Sequence, residues 1–259
     1  MNPDSKPQFD HDGFVTGPRL LSGSELDSVR AAVDRILVKS SAGMDRLYVH
    51  RTSGEGCDRQ IHVVGAWRAE EAIAALSKHP LIAAWVCALM GCGSVRLFRD
   101  QIFVKFPNSS GVVPWHQDYS DWVHTSPAAH ITCWVALDSA TIDSGCLHYV
   151  SGHPPGVLPK ISRDDTHESA FARLPLEIQS NFRPGPVEVP AGGCVFHHCL
   201  TIHGSYGNRT PHARRAIAFA YMHPETRSTF ARSIFPNGPT FAAGEIIAGP
   251  LFPVIVAAP

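Results

Sequence analysis

The spacing of apolar residues changes near residue 94, and this change limits the folds open to the chain. Between Leu26 and Leu37 they recur at helical spacing, after Ser22 or Ser24, either of which can cap a helix. Later segments are short, β-rich and separated by turns that contain Gly and Pro. Strands are predicted at 13–15, 47–50, 95–106, 130–138, 146–150, 187–189, 194–197 and 215–221. Helices followed by many short strands predict a mainly β protein, a sandwich or barrel with helices packed on one side.

The 259 residues are expected to form one domain. Residues 1–12 read as a loose polar start, and further helices are predicted at about 68–77 and 80–90. The expected parts are an N-terminal helical part at about 13–92, a β core at about 93–223, a lid-like insertion at 151–185 and an apolar tail at 236–259. The tail should pack against the body or a partner chain, and the second case would give a homodimer.

Charge and cysteine content exclude several classes of protein. Lys and Arg number 22 against 23 Asp and Glu, so neither nucleic acid nor an anionic membrane is an expected partner. Seven cysteines without a C-x-x-C pair argue against a disulfide framework and a structural zinc site. The polar N-terminus and the absence of an 18-residue apolar run predict neither a signal peptide nor a membrane span. A cytoplasmic protein is the expectation.

The stretch His116-Gln117-Asp118 is the first candidate for chemistry. On an extended segment, residues two apart project to the same side, so the imidazole and the carboxylate can reach one ion. They would supply two ligands of the two-His, one-carboxylate set that marks non-haem Fe(II) oxygenases. The pattern alone is common by chance, and a surface or core pair is its ordinary interpretation.

A third ligand must come from elsewhere, and His203 is the best candidate. His197 and His198 precede it in the same segment and remain alternatives, one of them as a residue that orients a ligand. Eleven residues after His203, Arg214 opens a strong strand pattern. Its planar guanidinium suits a dicarboxylate, to which the Ser205 hydroxyl could also donate.

Four segments together resemble the phytanoyl-CoA dioxygenase family of Fe(II)/2-oxoglutarate oxygenases. They are Trp115–Asp118, Gly145–His153, Gly193–Ser205, and Asn208 through Arg215; the N-terminal Asp12-Gly-Phe-Val15 is also similar. The likeness covers most of residues 9–223. It implies a double-stranded β-helix, a jelly-roll or cupin-like core with flanking helices. One departure is Ser151-Gly-His153, where many members have Pro-Gly-Ser-His.

The resemblance implies roles for individual residues. Fe(II) would be held by His116, Asp118 and His203, with 2-oxoglutarate and O2 as co-substrates. The residues implied for 2-oxoglutarate are Arg214 and Ser205 at its far carboxylate, Trp134 as an aromatic wall, Gln117 as a polar contact and Lys105 as a basic position. Lys105 could equally be an ordinary lysine at the end of a strand.

The expected activity is hydroxylation of an unactivated C–H bond in a small molecule, with release of succinate and CO2. The carboxylate of Asp118 argues against halogenation, since related halogenases have a small residue there. Desaturation or ring chemistry at the same centre, and a cupin-like metal protein without oxygen activation, remain alternatives. Candidate substrate contacts are Tyr119, Trp122, Arg99 and Gln101, although the two aromatic residues could instead be core. A small metabolite or natural-product intermediate is the preferred substrate class.

Overall fold

A computed structural model describes residues 4–39, 48–52, 60–152, 156–162, 165–235 and 238–257. The helices are α1 Ser5–Asp12, α2 Gly23–Lys39, α3 Glu71–Leu76, α4 Pro80–Met90, α5 Tyr119–Trp122, α6 His167–Ala172 and α7 Leu176–Ser180, with a 3-10 helix at Ala66–Arg68. The first strands are β1 Phe14–Thr16, β2 Tyr48–Thr52, β3 Gln60–Val64, β4 Ser94–Lys105, β5 Val113–His116, β6 Thr125–Ser126, β7 Ile131–Ala136 and β8 Leu147–Tyr149. The later ones are β9 Gly185–Val187, β10 Cys194–His198, β11 His203–Ser205, β12 Arg214–Met222, β13 Arg227–Ser228, β14 Arg232–Ser233, β15 Thr240–Phe241 and β16 Val254–Val256.

Two antiparallel sheets face each other. The major sheet has the order β1-β10-β7-β12-β4-β3-β2, with β16 paired to the start of β4, and the minor sheet has the order β5-β11-β8-β9. Side chains from both sheets form one cluster between them, in which Trp134 and Ala218 of the major sheet meet Leu147 and Tyr149 of the minor sheet. This architecture is the expected double-stranded β-helix, and the space between the two facing sheets is called the pocket.

The helices cover the outer face of the major sheet. Buried Ile36 of α2 and Val86 of α4 belong to the same core cluster as Ile102 and Phe219 of the sheet. Burying one such side chain stabilises the fold by about 1.5–3 kcal/mol, so the apolar face read from helical spacing fixes these helices on the sheet. Within the described ranges, no helix is both long and apolar enough to span a membrane.

The structure corrects three local predictions. Residues 5–12 form a helix rather than a loose start, since buried Phe9 contacts the His198 ring and Gly13 ends the helix at a φ of 81°. In the part expected to be mainly helical, β1 and β2 match the strands predicted at 13–15 and 47–50, but β3, which also joins the major sheet, was not predicted. The insertion 151–185, which shows no clear period, contains α6 and α7. In each case tertiary packing outweighs weak local propensity.

Candidate metal centre

Four rows of side chains cross the inner face of the major sheet and form the pocket floor. The rows, read across neighbouring strands, are His197–Thr132–Ala220–Arg99, then Val195–Trp134–Ala218–Gln101, then Ala136–Ala216–Phe103–His62, and finally Arg214–Lys105. Successive rows lie two residues apart along each strand, or about 6.6 Å. The alanines of β12 present only methyl groups to the space between the sheets.

His116, Asp118 and His203 converge at the end of the pocket nearest the first row. His116 of β5 and His203 of β11 are direct cross-strand neighbours, with ring centroids 4.2 Å apart. Asp118 Oδ1 lies 3.8 Å from His116 Nε2 and 4.0 Å from His203 Nε2. β5 ends at His116, so Asp118 reaches the cluster from the start of α5 rather than from the same strand. The three expected ligands therefore lie together. Strand pairing brings His116 next to His203, and the turn after β5 brings Asp118 to both of them.

Backbone carbonyls orient both imidazoles. His116 Nδ1 lies 2.8 Å from Pro114 O, and His203 Nδ1 lies 3.0 Å from Thr201 O. A carbonyl can only accept, so each Nδ1 carries a proton, and each Nε2, which faces the cluster, is the nitrogen available to a metal. Burial, with repulsion from the His116 and His197 rings, lowers the pKa of His203 well below its ordinary value. His203 is therefore neutral at neutral pH, as a metal ligand must be.

Two neighbours hold the second oxygen of Asp118. Thr132 Oγ1 donates to Oδ2 at 2.9 Å, and His197 Nε2 lies 3.1 Å from the same atom. Burial alone would raise the pKa of Asp118, but the hydrogen bond from His197 and the surrounding imidazoles outweigh burial and lower it. His197, an alternative for the third ligand, thus lies against the carboxylate. The sequence analysis did not identify Thr132 as a neighbour of the metal ligands. Its position on the inner face of the major sheet follows from the alternation of side chains along β7.

The far end of the pocket carries two buried cations. Arg214 donates through Nη2 to Gly145 O at 2.8 Å and through Nε to Ser144 O, and its Cζ lies 5.4 Å from the Trp134 ring. Lys105 Nζ donates to Gly111 O at 2.8 Å. Burial lowers the pKa of Arg214 to about 10, and burial with repulsion from Arg214 lowers that of Lys105 well below its ordinary value. Buried Ser205 lies two residues from His203 on β11 and so shares its face.

The side-chain amide of Gln117 binds backbone groups. Its side chain is fully buried, and its Nε2 donates to Leu200 O at 2.8 Å and to Gly156 O at 3.2 Å. Its Oε1 accepts from Leu158 N at 2.8 Å. Both donors are thus used by backbone carbonyls. Gln117, the residue between two ligands, thus binds the insertion, and its expected contact with the co-substrate stays a prediction.

The four candidate substrate residues separate into two pairs. Tyr119 and Trp122 are buried in an apolar cluster with Phe98, and the Tyr119 hydroxyl donates to Thr125 O, so both are core. Arg99 and Gln101 are on the pocket floor. Arg99 Cζ lies 5.1 to 5.6 Å from the rings of Phe98, Phe235 and Trp122. Gln101 Oε1 lies 2.8 Å from His62 Nε2, a contact that the sequence did not reveal.

The residues present fit a bound Fe(II) and a dicarboxylate. Among the described His, Cys, Asp and Glu, one group has its ligand atoms within 4.8 Å of one another, namely His116, Asp118 and His203. Two imidazoles and a carboxylate, with open positions, form the facial set typical of non-haem Fe(II). No ion pair joins Lys105 or Arg214 to a described carboxylate, so an anion from outside the chain would complete that end of the pocket.

Comparison with known proteins agrees with this geometry. The family profile described as phytanoyl-CoA dioxygenase matches residues 9–216. L-proline trans-4-hydroxylase of Streptomyces griseoviridis is 25% identical over 84% of the chain and 85% of its own length. Phytanoyl-CoA dioxygenase 1 of Oryza sativa subsp. japonica is 31% identical, but over only 50% of the chain and 45% of the rice protein.

Solved structures share the fold. The crystal structure of the epimerase SnoN in complex with Fe3+, alpha ketoglutarate and nogalamycin RO superimposes with a TM-score of 0.78 over 96% of each chain. Its sequence identity with the chain is 24%. At that identity the likeness establishes a common architecture.

Proposed function

The chain belongs to the phytanoyl-CoA dioxygenase family, and from that premise we propose that it is an Fe(II)/2-oxoglutarate-dependent dioxygenase that hydroxylates a small molecule. The observation that supports this proposal most directly is the pairing of two sites in one pocket. Three ligand atoms converge beside the first row, and the guanidinium of Arg214, whose backbone lies in the fourth row, has its Cζ 5.4 Å from the ring of Trp134 in the second row. A compact dicarboxylate can span such a pocket, with one end at the metal and the other at Arg214.

Each group of residues has a defined task in this proposal. His116, Asp118 and His203 hold Fe(II), and Arg214 with Lys105 and Ser205 binds the far carboxylate of 2-oxoglutarate. The Trp134 ring forms the wall between these two ends. When bound, the iron and 2-oxoglutarate supply the activation of O2 that yields succinate, CO2 and the hydroxylated product. A metal protein without oxygen activation would leave the two buried cations without a role.

The substrate is proposed to be a small metabolite or natural-product intermediate with polar groups. Neither nitrogen of His124 or His130 hydrogen-bonds to a described residue, although both side chains are buried. Both rings lie near Phe98, beside the Arg99 guanidinium. Because buried polar groups normally have partners, hydrogen-bonding groups of a substrate would suit this region.

An anaerobic titration tests the chemistry. Fe(II) is added to the metal-free protein, followed by 2-oxoglutarate, while the weak visible charge-transfer band of the chelate is monitored. We expect the band in the wild type and in a His198→Ala control, and no band in His203→Ala. Iron binding without the band would contradict the assignment of the co-substrate. If the wild-type protein bound no Fe(II) at all, the proposed function would be contradicted.

A further inference from the structure

We infer that His197, held by a hydrogen bond with Tyr149, is a positioning residue that leaves Asp118 to bind the metal through Oδ1 alone. This inference rests on the proposed function, since it concerns the same metal centre. His197 is buried on β10, in the row of the pocket floor nearest the metal ligands. Its ring centroid lies 4.5 Å from that of His203, so it borders the centre without belonging to the converging trio.

The direction of each hydrogen bond follows from what each atom can do. An ionised carboxylate only accepts, so Thr132 O–H and His197 Nε2–H both donate to Asp118 Oδ2. A neutral imidazole with its proton on Nε2 has an acceptor at Nδ1. The Tyr149 hydroxyl lies 2.9 Å from Nδ1 and donates to it. Asp118, which can only accept, therefore sets the tautomer of His197, and the Tyr149 hydroxyl, which can donate or accept, holds the opposite side of the ring.

Tyr149 is itself firmly placed. It is buried on β8, directly opposite His203 in register, and the Phe14 ring stacks on it at 4.4 Å and 13°. A chain of contacts thus runs from Phe14 of the N-terminal strand through Tyr149 and His197 to Asp118. These contacts, together with the Thr132 hydroxyl, hold Oδ2 from two sides.

Fixing Oδ2 affects the number of open coordination positions. With two donors, Oδ2 is less available to a metal, while Oδ1 faces the two Nε2 atoms. A carboxylate bound through one oxygen keeps three positions free in a facial set, which a chelating co-substrate and O2 require. Release of Oδ2 would allow bidentate binding and occupy one of those positions. The task of His197 is therefore to preserve an open site.

The test uses Co(II) binding to the purified full chain, read by competition with a fluorescent chelator and by the visible spectrum of the bound ion. Changing a residue that holds a metal ligand typically lowers metal affinity by about ten- to a hundredfold. We expect a loss of that size in His197→Phe, with an altered Co(II) spectrum. Tyr149→Phe, which removes only a hydroxyl, should give a smaller loss of the same kind.

A double-mutant comparison separates positioning from packing. Tyr149 acts through His197, so Tyr149→Phe should change nothing further in the His197→Phe background. Thr132 acts on Oδ2 directly, so Thr132→Val and Tyr149→Phe should each lower the affinity, and the double variant should lose more affinity than either single variant. His148→Phe is the packing control, because His148 is buried next to Tyr149 but on the opposite face of β8. It should alter the unfolding temperature and leave the Co(II) affinity unchanged.

Unchanged Co(II) affinity and spectrum in both His197→Phe and Tyr149→Phe would overturn the inference while leaving the proposed function intact. If His197→Phe does not fold, Tyr149→Phe alone decides: wild-type affinity overturns the inference, and a several-fold loss supports it. Failure of the wild type to bind Co(II) would instead overturn the proposed metal centre itself. The two failures are thus distinct.

Discussion

Arg214 lies directly opposite Lys105 across strands β12 and β4, and both cationic side chains are buried. Two neighbouring cations in a region of low dielectric repel each other, and this contributes to the lowered pKa of Lys105. A carboxylate placed between them would relieve both the burial cost and the repulsion. The pair thus makes this end of the pocket selective for an anion.

Replacement of Arg214 should weaken 2-oxoglutarate binding specifically. Hydrogen bonds to charged groups contribute about 1.5–3 kcal/mol, so Arg214→Gln should raise the KM for 2-oxoglutarate about 10- to 100-fold. Arg215→Gln is the matched control. Its guanidinium lies on the other face of β12 and pairs with Asp138 and Asp34, so the change should lower stability in urea and leave this KM unchanged. If Arg215→Gln raised the KM for 2-oxoglutarate and Arg214→Gln did not, Arg215 would be the residue that binds the far carboxylate of 2-oxoglutarate.

Affinity for 2-oxoglutarate should fall as pH rises. A bound carboxylate favours charged Lys105 and so raises its pKa in the complex, while in the free protein that pKa is lowered by burial and by Arg214. Between the two pKa values binding takes up a proton, and the dissociation constant therefore increases with pH. Anaerobic titrations at several pH values in wild type and Lys105→Met test this. An equal pH dependence in the variant would exclude Lys105 as its source.

Gln117 should be needed for the insertion rather than for the co-substrate. Gln117→Met keeps the length of the side chain and removes its bonds to Gly156, Leu158 and Leu200. We expect faster hydrogen exchange at the Leu158 amide, with little change in the KM for 2-oxoglutarate. A large rise in the KM for 2-oxoglutarate without faster exchange at Leu158 would instead support a contact between Gln117 and the co-substrate.

His130 should make the protein sensitive to acid. Burial is the main reason that its folded-state pKa falls to about 3, against about 6.5 when unfolded. Below pH 6.5 the unfolded chain gains a proton that the folded chain excludes, so stability is lost as pH falls toward 3. From pH 6.5 to pH 5.0 the loss is about 2 kcal/mol. Urea unfolding should show a smaller loss in His130→Phe than in wild type or in the exposed control His212→Gln.

The metal ligands show how far local sequence information reaches. His116 and Asp118 are two residues apart, so proximity along the chain indicated a shared site even though a turn, and not a continuous strand, brings them together. His203 was the best candidate from the sequence and the family likeness favoured it over His197 and His198, but only the register of β11 against β5 shows that it lies beside His116. Arg214 and Arg215 are adjacent on β12 and face opposite sides of the sheet, as strand alternation requires.

The sequence by itself determined the change from helical to strand periodicity, the β-rich core and the residue types of the site, because these depend on spacing within a few residues. Only the tertiary structure decided that His197 holds Asp118, that Gln117 binds the insertion, and that Tyr119 and Trp122 belong to the core. It also decided that residues 5–12 form a helix. Each of these depends on contacts between residues far apart in the chain, and strand register and side-chain rotamers set such contacts only once the sheets have assembled.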